Sequence, residues 1–213
     1  MPLLQTSAPG SEPVTLVDMK NYLRVDSDLT QDDALITMLI SAARAYAESV
    51  TGRSFISQGW RLVLESFPGY GMTGVQWGVG YSHPRQAILL EKGPVISVGS
   101  IVYTAMDGST VTIATPGAPD YAVDLSGPWP RITPGFGKIW PIPLPQIGAV
   151  QVNYTAGYGT DAASVPNGIK QWLMLRVATL YENREEVAIL GRGKVDPLPY
   201  VDSLLDPYRV PQL

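Results

Sequence analysis

The chain has 213 residues and a formal net charge of −4, with 45% apolar residues and only 16% charged residues. A chain of this length can bury a substantial core, and its weak negative charge disfavours binding to free nucleic acid, which requires clustered lysine and arginine. The absence of cysteine excludes disulfides, thiolate nucleophiles and thiolate metal sites. The first residues lack the pattern of a signal peptide, and no apolar run approaches the roughly 18 residues of a membrane span.

The N-terminal quarter predicts an arm followed by two helices. Residues 1–14 contain several Pro, Gly and Ser residues and are expected to form a flexible arm. Thr15 can cap a short helix from Leu16 to Leu23. A stripe of apolar residues with the 3.6-residue period then predicts a longer helix over about residues 31–51. Gly52 is expected to end this helix.

Residues 54–163 predict a β-rich insertion. Apolar and polar residues alternate from Trp60 to Glu65, and further strand patterns follow along this stretch. Asp107-Gly108 lies between two such runs and indicates a hairpin. The Gly/Pro-rich stretches at residues 68–84 and 116–145 are too long for tight turns, and loops of that length are commonly functional or disordered.

A third helix is predicted from Ser164 or Asn167 to Asn183, with Pro166 tolerated near its start. Residues 191–213 predict a C-terminal tail, because prolines interrupt every pattern there except a helical turn at about 201–205. The fold class is therefore α+β: a small helical bundle (15–53 and 164–190) with an inserted antiparallel β domain (54–163) and flexible termini. We expect the helices before and after the strands to pack together.

No arrangement of residues predicts a catalytic, cofactor or metal site. His83 is the only histidine and has no nucleophile and acid arranged near it in the sequence. Asp26, Asp28, Asp32 and Asp33 suggest a calcium loop, but the required glycine and distal glutamate are missing, which favours a solvated link. We therefore predict that the protein is not an enzyme; a hydrolase with paired acids is the least favoured alternative.

Two groups of residues are candidate interfaces. Aromatic side chains in or near the long loops are either buried beneath those loops or placed at a protein interface; they are Trp77, Tyr81, Trp129 and Trp140. The charges at the end of the third helix, including Arg184 and Glu185, indicate a solvated helix end or intersubunit ion pairs. The alternative function is a carbohydrate-binding or adhesive β module that uses the loop aromatics.

Several segments, in this order and spacing, resemble the head–tail connector (adaptor) family of tailed bacteriophages, which also occurs in gene transfer agents and prophages. They are residues 16–26 (LVDMKNYLRVD), 32–36 (DDALI), 42–48 (AARAYAE), 51–53 (TGR), 93–98 (GPVISV), 101–103 (IVY), 154–159 (YTAGYG), 165–166 (VP), 169–170 (IK) and 180–185 (LYENRE). Together they span about residues 15–186. The chain is similar to the longer members of this family, which carry a β insertion.

The resemblance implies a structural protein of the head–tail junction of a virion or phage-like particle, made in the bacterial host cytoplasm. Members form a ring, commonly a dodecamer, beneath the portal protein and present a docking surface to a stopper or tail-terminator protein. DNA would pass through the channel without specific binding, and no membrane or cofactor is implied. The C-terminal segment commonly reaches the portal, and we assign this role to Val201, Leu204, Leu205 and Tyr208 as a short amphipathic anchor.

Overall fold

The computed structural model describes residues 2–69, 86–113, 120–183 and 199–210. These residues form two compact units. The helical unit takes its described residues from 10–56 and 159–210, and the β unit takes its described residues from 2–9 and 57–158. The α+β class predicted from the sequence is confirmed, because helices and antiparallel sheets are both present.

The helical unit contains α1 (Leu16–Leu23), α2 (Asp33–Thr51), α3 (Asn167–Glu182) and the short α4 (Pro199–Ser203). Single 3₁₀ turns at Ala162–Ser164 and Asp206–Tyr208 complete it. Thr15 caps α1 as predicted, since its hydroxyl oxygen accepts a hydrogen bond from the Asp18 N–H. Gly52 ends α2 in the left-handed conformation, which glycine adopts without steric cost.

The core of the helical unit lies between α2 and α3, so the predicted packing of these two helices is confirmed. Each helix buries one apolar stripe; the buried residues are Ile36, Ile40, Ala43 and Ala47 on α2, and Ile169, Trp172, Leu173 and Val177 on α3. The rings of Tyr46 and Trp172 stack nearly parallel, with centroids 6.0 Å apart. The 3.6-residue apolar period therefore produces one shared interface between segments distant in the sequence.

The β unit contains a five-stranded antiparallel sheet and a smaller three-stranded sheet. The larger sheet has the order β1 (Leu3–Ser7), β2 (Gln58–Leu64), β8 (Val150–Ala156), β4 (Val95–Thr104) and β5 (Thr110–Ile113). The smaller has the order β3 (Ile88–Leu89), β7 (Arg131–Pro134) and β6 (Tyr121–Asp124). The hairpin predicted at Asp107-Gly108 joins β4 to β5, and Gly108 supplies its positive φ of 83°.

The first strand corrects the expectation that residues 1–14 form a flexible arm. Leu3–Ser7 pairs antiparallel with β2, so that Leu3 lies opposite Leu62. The side-chain amide of Gln5 donates to the Gln58 side-chain oxygen at 2.7 Å. The free edge of β2 provides backbone partners for these residues, and local composition does not reveal a partner more than 50 residues away.

Tyr154 on β8 predicts a dependence of stability on alkaline pH. Its side chain is buried, and its hydroxyl donates to the Glu91 carbonyl oxygen at 2.9 Å. Burial, and to a smaller extent the Glu91 charge, raises the pKa of Tyr154 far above its ordinary value. The unfolded chain therefore releases this proton first, and the free energy of unfolding should fall as pH rises above about 10.

We expect the Tyr154→Phe variant to lose about 1 kcal/mol at neutral pH through the missing hydrogen bond. It should also lose stability less steeply than the parent protein when both are compared by urea unfolding between about pH 8 and 11. Equal slopes for the two proteins would contradict the assignment of this pH dependence to Tyr154.

Candidate assembly surfaces

The C-terminal segment (residues 199–210) packs onto the helical unit. Its Asp202 carboxylate accepts a hydrogen bond from the Trp172 indole N–H at 3.1 Å. The Val210 N–H donates to the Thr51 carbonyl oxygen at 2.9 Å, and the Arg53 guanidinium donates to the Tyr208 carbonyl oxygen. The described part of the predicted tail is thus a folded part of the helical unit and not a loose extension.

This packing changes the set of residues proposed as an amphipathic anchor. Leu205 has 1% of its surface exposed and belongs to the core of the helical unit. Val201, Leu204 and Tyr208 are partly buried against the same unit and partly exposed. Leu205 was selected with them because the apolar spacing of a short helix does not distinguish an inward-facing contact from an outward-facing one.

The ammonium group of Lys20 binds the acidic link, which is the segment of residues 26–33 between α1 and the start of α2. A metal cation bound by this link would compete for the same oxygen atoms. The Lys20 side chain is 6% exposed, and its ammonium group donates to the Ser27 and Leu29 carbonyl oxygens, at 2.9 and 2.7 Å, and to the Asp33 carboxylate at 2.9 Å. A lysine therefore holds the turn between α1 and α2. No cluster of metal-binding side chains occurs among the residues that the structure describes.

Replacing Lys20 by methionine should destabilise the helical unit by about 2 kcal/mol, because three hydrogen bonds to one charged group are lost. The loss of stability stays moderate because Ser27 and Leu29 are exposed, so water can hydrate their freed carbonyl oxygens. Thermal unfolding of both proteins with calcium or with a chelator is the measurement. A calcium-dependent rise in Tm of the parent protein would contradict this account of the link.

A second buried charge network joins the start of the helical unit to α2. The Arg44 guanidinium donates to Glu12 at 2.7 Å and to Glu48 at 2.9 Å, and the second Glu48 oxygen accepts the Phe55 N–H at 2.8 Å. Burial alone would lower the pKa of Arg44, but the two carboxylates outweigh it and raise that pKa. The network fixes the residues before α1 and after α2 against the same helix.

The loop aromatics take different positions. Trp140 is 2% exposed and stacks on Phe67 with ring centroids 4.9 Å apart, so it is a core residue and not an interface residue in this structure. Trp129 is half-buried, and its indole N–H is buried without a hydrogen-bond partner in the described part of the chain. Trp77, Tyr81, Arg184 and Glu185 lie outside the described residues. A buried Trp140 cannot stack on a sugar ring, so the carbohydrate-binding alternative loses one of the aromatic side chains on which it was based.

An exposed apolar loop (residues 135–148) follows β7 and contains large side chains that sequence reasoning missed. Phe136, Ile139, Ile142 and Ile147 are 107%, 67%, 59% and 93% exposed. The sequence contains a signal for this exposed apolar loop, because residues 132–150 carry a single charge, Lys138. Large exposed apolar patches on folded proteins mark interaction surfaces.

The apolar loop is held in place from within the β unit. The Trp140 indole N–H donates to the Gln86 carbonyl oxygen at 2.7 Å, and the Leu144 N–H donates to the Thr104 carbonyl oxygen at 2.8 Å. Pro143 is buried as well. The backbone is therefore ordered before any partner binds, and docking incurs little further loss of conformational entropy.

The helical unit carries an apolar depression with a volume of about 460 Å³. Most of its exposed lining is apolar, and the lining comes from the residues before α1, the first residue of α1, α2 and the segment at the 3₁₀ turn before α3. The lining residues are Ser11, Glu12, Val14, Thr15, Leu16, Thr37, Ile40, Asp161, Ala162 and Ala163. The depression is open to solvent and can accept a side chain from outside.

Among the described helices, none is long and apolar enough to cross a membrane.

Comparison with known proteins gives a family-model match over part of the chain and a shared fold. Residues 13–104 match the family model described as "Phage gp6-like head-tail connector protein". The resemblance to head–tail connectors is confirmed. The match covers α1, α2 and the first half of the β unit, which includes the segments 16–26 and 93–98 on which the resemblance was based. No match was found among curated proteins.

Solved structures of gene transfer agent (GTA) particles contain chains with the same fold as this chain. One structure is described as "Neck of empty GTA particle computed with C6 symmetry", with a TM-score of 0.76, 24% identity and coverage of 100% of this chain and 97% of that chain. A chain of "Virion of native gene transfer agent (GTA) particle" matches with a TM-score of 0.75 and 24% identity, with the same coverage. A chain of "Neck of native GTA particle computed with C12 symmetry" matches with a TM-score of 0.67 and 22% identity, again with that coverage.

Proposed function

We propose that this protein is a structural head–tail adaptor of a tailed phage or phage-like particle. The observation that carries the proposal is the connector family match over residues 13–104 combined with a fold shared, over its full length, with chains of GTA neck and virion structures. The protein would form a ring beneath the portal, extend the DNA channel and dock the stopper or tail. Its place is the head–tail junction of the particle.

The surface of the protein suits such a role. A ring with cyclic symmetry requires each copy to present two different, complementary faces to its neighbours. The described residues offer an ordered apolar loop on the β unit and an apolar depression on the helical unit. Cores of protein interfaces are depleted in charged residues, as this chain is throughout. The GTA neck structures, computed with C6 and C12 symmetry, support a ring as the assembled form.

The proposed partners are the portal on one side and a stopper or tail-terminator protein on the other. DNA would pass without tight binding, because a chain with a net charge of −4 offers few phosphate contacts and tight contacts would slow its passage. We expect no catalytic activity. The exposed parts of Val201, Leu204 and Tyr208 remain our candidates for the portal contact, with Leu205 holding the segment in the helical unit.

The test is to mix the purified protein with the portal protein of the same particle and to image the product by electron microscopy. A new ring stacked on the narrow end of the portal, with a countable number of subunits, is the expected result. Portals that stay unchanged both when isolated and when taken from DNA-filled heads would refute the adaptor role.

A further inference from the structure

We propose that the apolar loop of one copy docks into the apolar depression of the neighbouring copy and forms the lateral contact of the ring. This inference rests on the proposed adaptor function. The loop contributes Phe136, Ile139, Ile142 and Ile147 from the β unit. The depression contributes the surface around Thr37 and Ile40 from the helical unit.

The loop exposes enough apolar surface to account for a specific contact. Phe136 alone presents on the order of 150–250 Å² to solvent, and the three exposed isoleucines add to that area. A standard stable interface buries roughly 800 Å² on each partner, so the loop supplies a substantial share of one such face. Lys138 is the single charge within the loop, and it already lies 3.7 Å from Asp120. The loop therefore brings one charge to the contact, and the two carboxylates in the lining of the depression, Glu12 and Asp161, already have partners in Arg44 and the Ser164 N–H.

The depression is large enough to take a side chain of the loop, and most of its exposed lining is apolar. Its volume of about 460 Å³ exceeds that of one large side chain, and buried Val14 and Ile40 form part of its wall. Ala162 and Ala163 leave room at its rim because their side chains are short. An apolar projection and an apolar recess on different units of one chain are the two unlike faces that a head-to-tail contact needs.

A second copy accounts for both surfaces, because one copy supplies the loop and its neighbour supplies the depression. Contacts between loops of two copies would be isologous and would close a two-fold dimer, leaving the depression unused. A loop–depression contact repeats from copy to copy, and it closes as a ring when the rotation between neighbouring copies divides a full turn. Each contact can be weak, because closure of the ring adds the contacts together.

Cysteine cross-linking tests this contact cleanly, because the chain has no native cysteine. The double variant Phe136→Cys with Thr37→Cys is assembled on the portal and treated with a short bismaleimide. We expect a ladder of covalent oligomers that extends to the full ring. The matched control pairs Phe136→Cys with Met38→Cys, the exposed α2 neighbour that does not line the depression, and should give at most a weak ladder.

Each alternative has its own result. A covalent dimer from Phe136→Cys alone indicates loop–loop pairing and overturns the inference, as does a cross-link from this cysteine to the portal or the tail protein. Stacked rings without any ladder overturn the loop–depression contact but leave the adaptor function intact. Failure to form rings with the parent protein refutes the adaptor function itself.

A second variant tests the same contact without chemical cross-linking. Phe136→Asp with Ile147→Asp places two charges on side chains that are 107% and 93% exposed, so folding should be unaffected. We expect ring formation to require at least about tenfold more protein, since buried unpaired charges are costly at an interface. Unchanged ring formation, with unchanged unfolding by urea, would overturn the inference.

Discussion

Replacing Trp140 by alanine is expected to lower the free energy of unfolding of the β unit by about 3–5 kcal/mol. Trp140 is 2% exposed and lies within the apolar core cluster of the unit, stacked on Phe67. Its removal leaves a cavity that surrounding strands can fill only in part. It also frees the Gln86 carbonyl oxygen, which now accepts the indole N–H at 2.7 Å. Urea unfolding followed by far-UV circular dichroism measures the effect.

Two controls separate the causes in this experiment. Trp140→Phe retains an aromatic ring on Phe67 but removes the hydrogen bond, and should lose about 1–3 kcal/mol. Ile147→Ala removes an apolar side chain from the same loop, but that side chain is 93% exposed, so its effect should stay within about 0.5 kcal/mol. A loss below about 1 kcal/mol for Trp140→Ala would show that the indole is not a core residue.

Replacing Glu48 by alanine is expected to destabilise the helical unit by about 3 kcal/mol, the lower range for breaking a buried ion pair. The Arg44 and Glu48 side chains are only 13% and 12% exposed, and the Glu48 carboxylate also accepts the Phe55 N–H at 2.8 Å. The variant would leave Arg44 with Glu12 as its remaining acidic partner and the Phe55 N–H without its acceptor. Chemical unfolding of parent and variant measures the difference.

Variants that keep part of the Glu48 network serve as controls. Glu48→Gln retains an acceptor for the Phe55 N–H and should lose about half as much stability as Glu48→Ala. The double variant Glu48→Ala with Arg44→Met should cost less than the sum of the single changes, because removing the guanidinium abolishes the poorly paired charge. Strictly additive losses would contradict a coupled network.

The candidate surfaces were only partly predictable from the sequence. The spacing of Trp and Tyr residues in the loops indicated that these side chains would be buried somewhere, but it did not distinguish a core from an interface. Trp140 and Phe136 are four residues apart in one charge-poor loop, yet one is buried and the other wholly exposed. Only the path of the backbone, set by hydrogen bonds to distant carbonyl groups, decides which side chain faces inward.

Local patterns alone determined the α+β class, the two long helices, the hairpin at Asp107-Gly108 and the resemblance to head–tail connectors. These features depend on residue periodicity, capping and turn chemistry, which act over a few neighbouring positions. Tertiary structure decided the pairing of Leu3–Ser7 with β2, the binding of the Lys20 ammonium to the acidic link and the burial of Leu205. Each of these contacts needs a partner segment that the fold brings near. A free strand edge, a buried charge or an apolar groove pairs with whichever complementary group the folded chain places next to it.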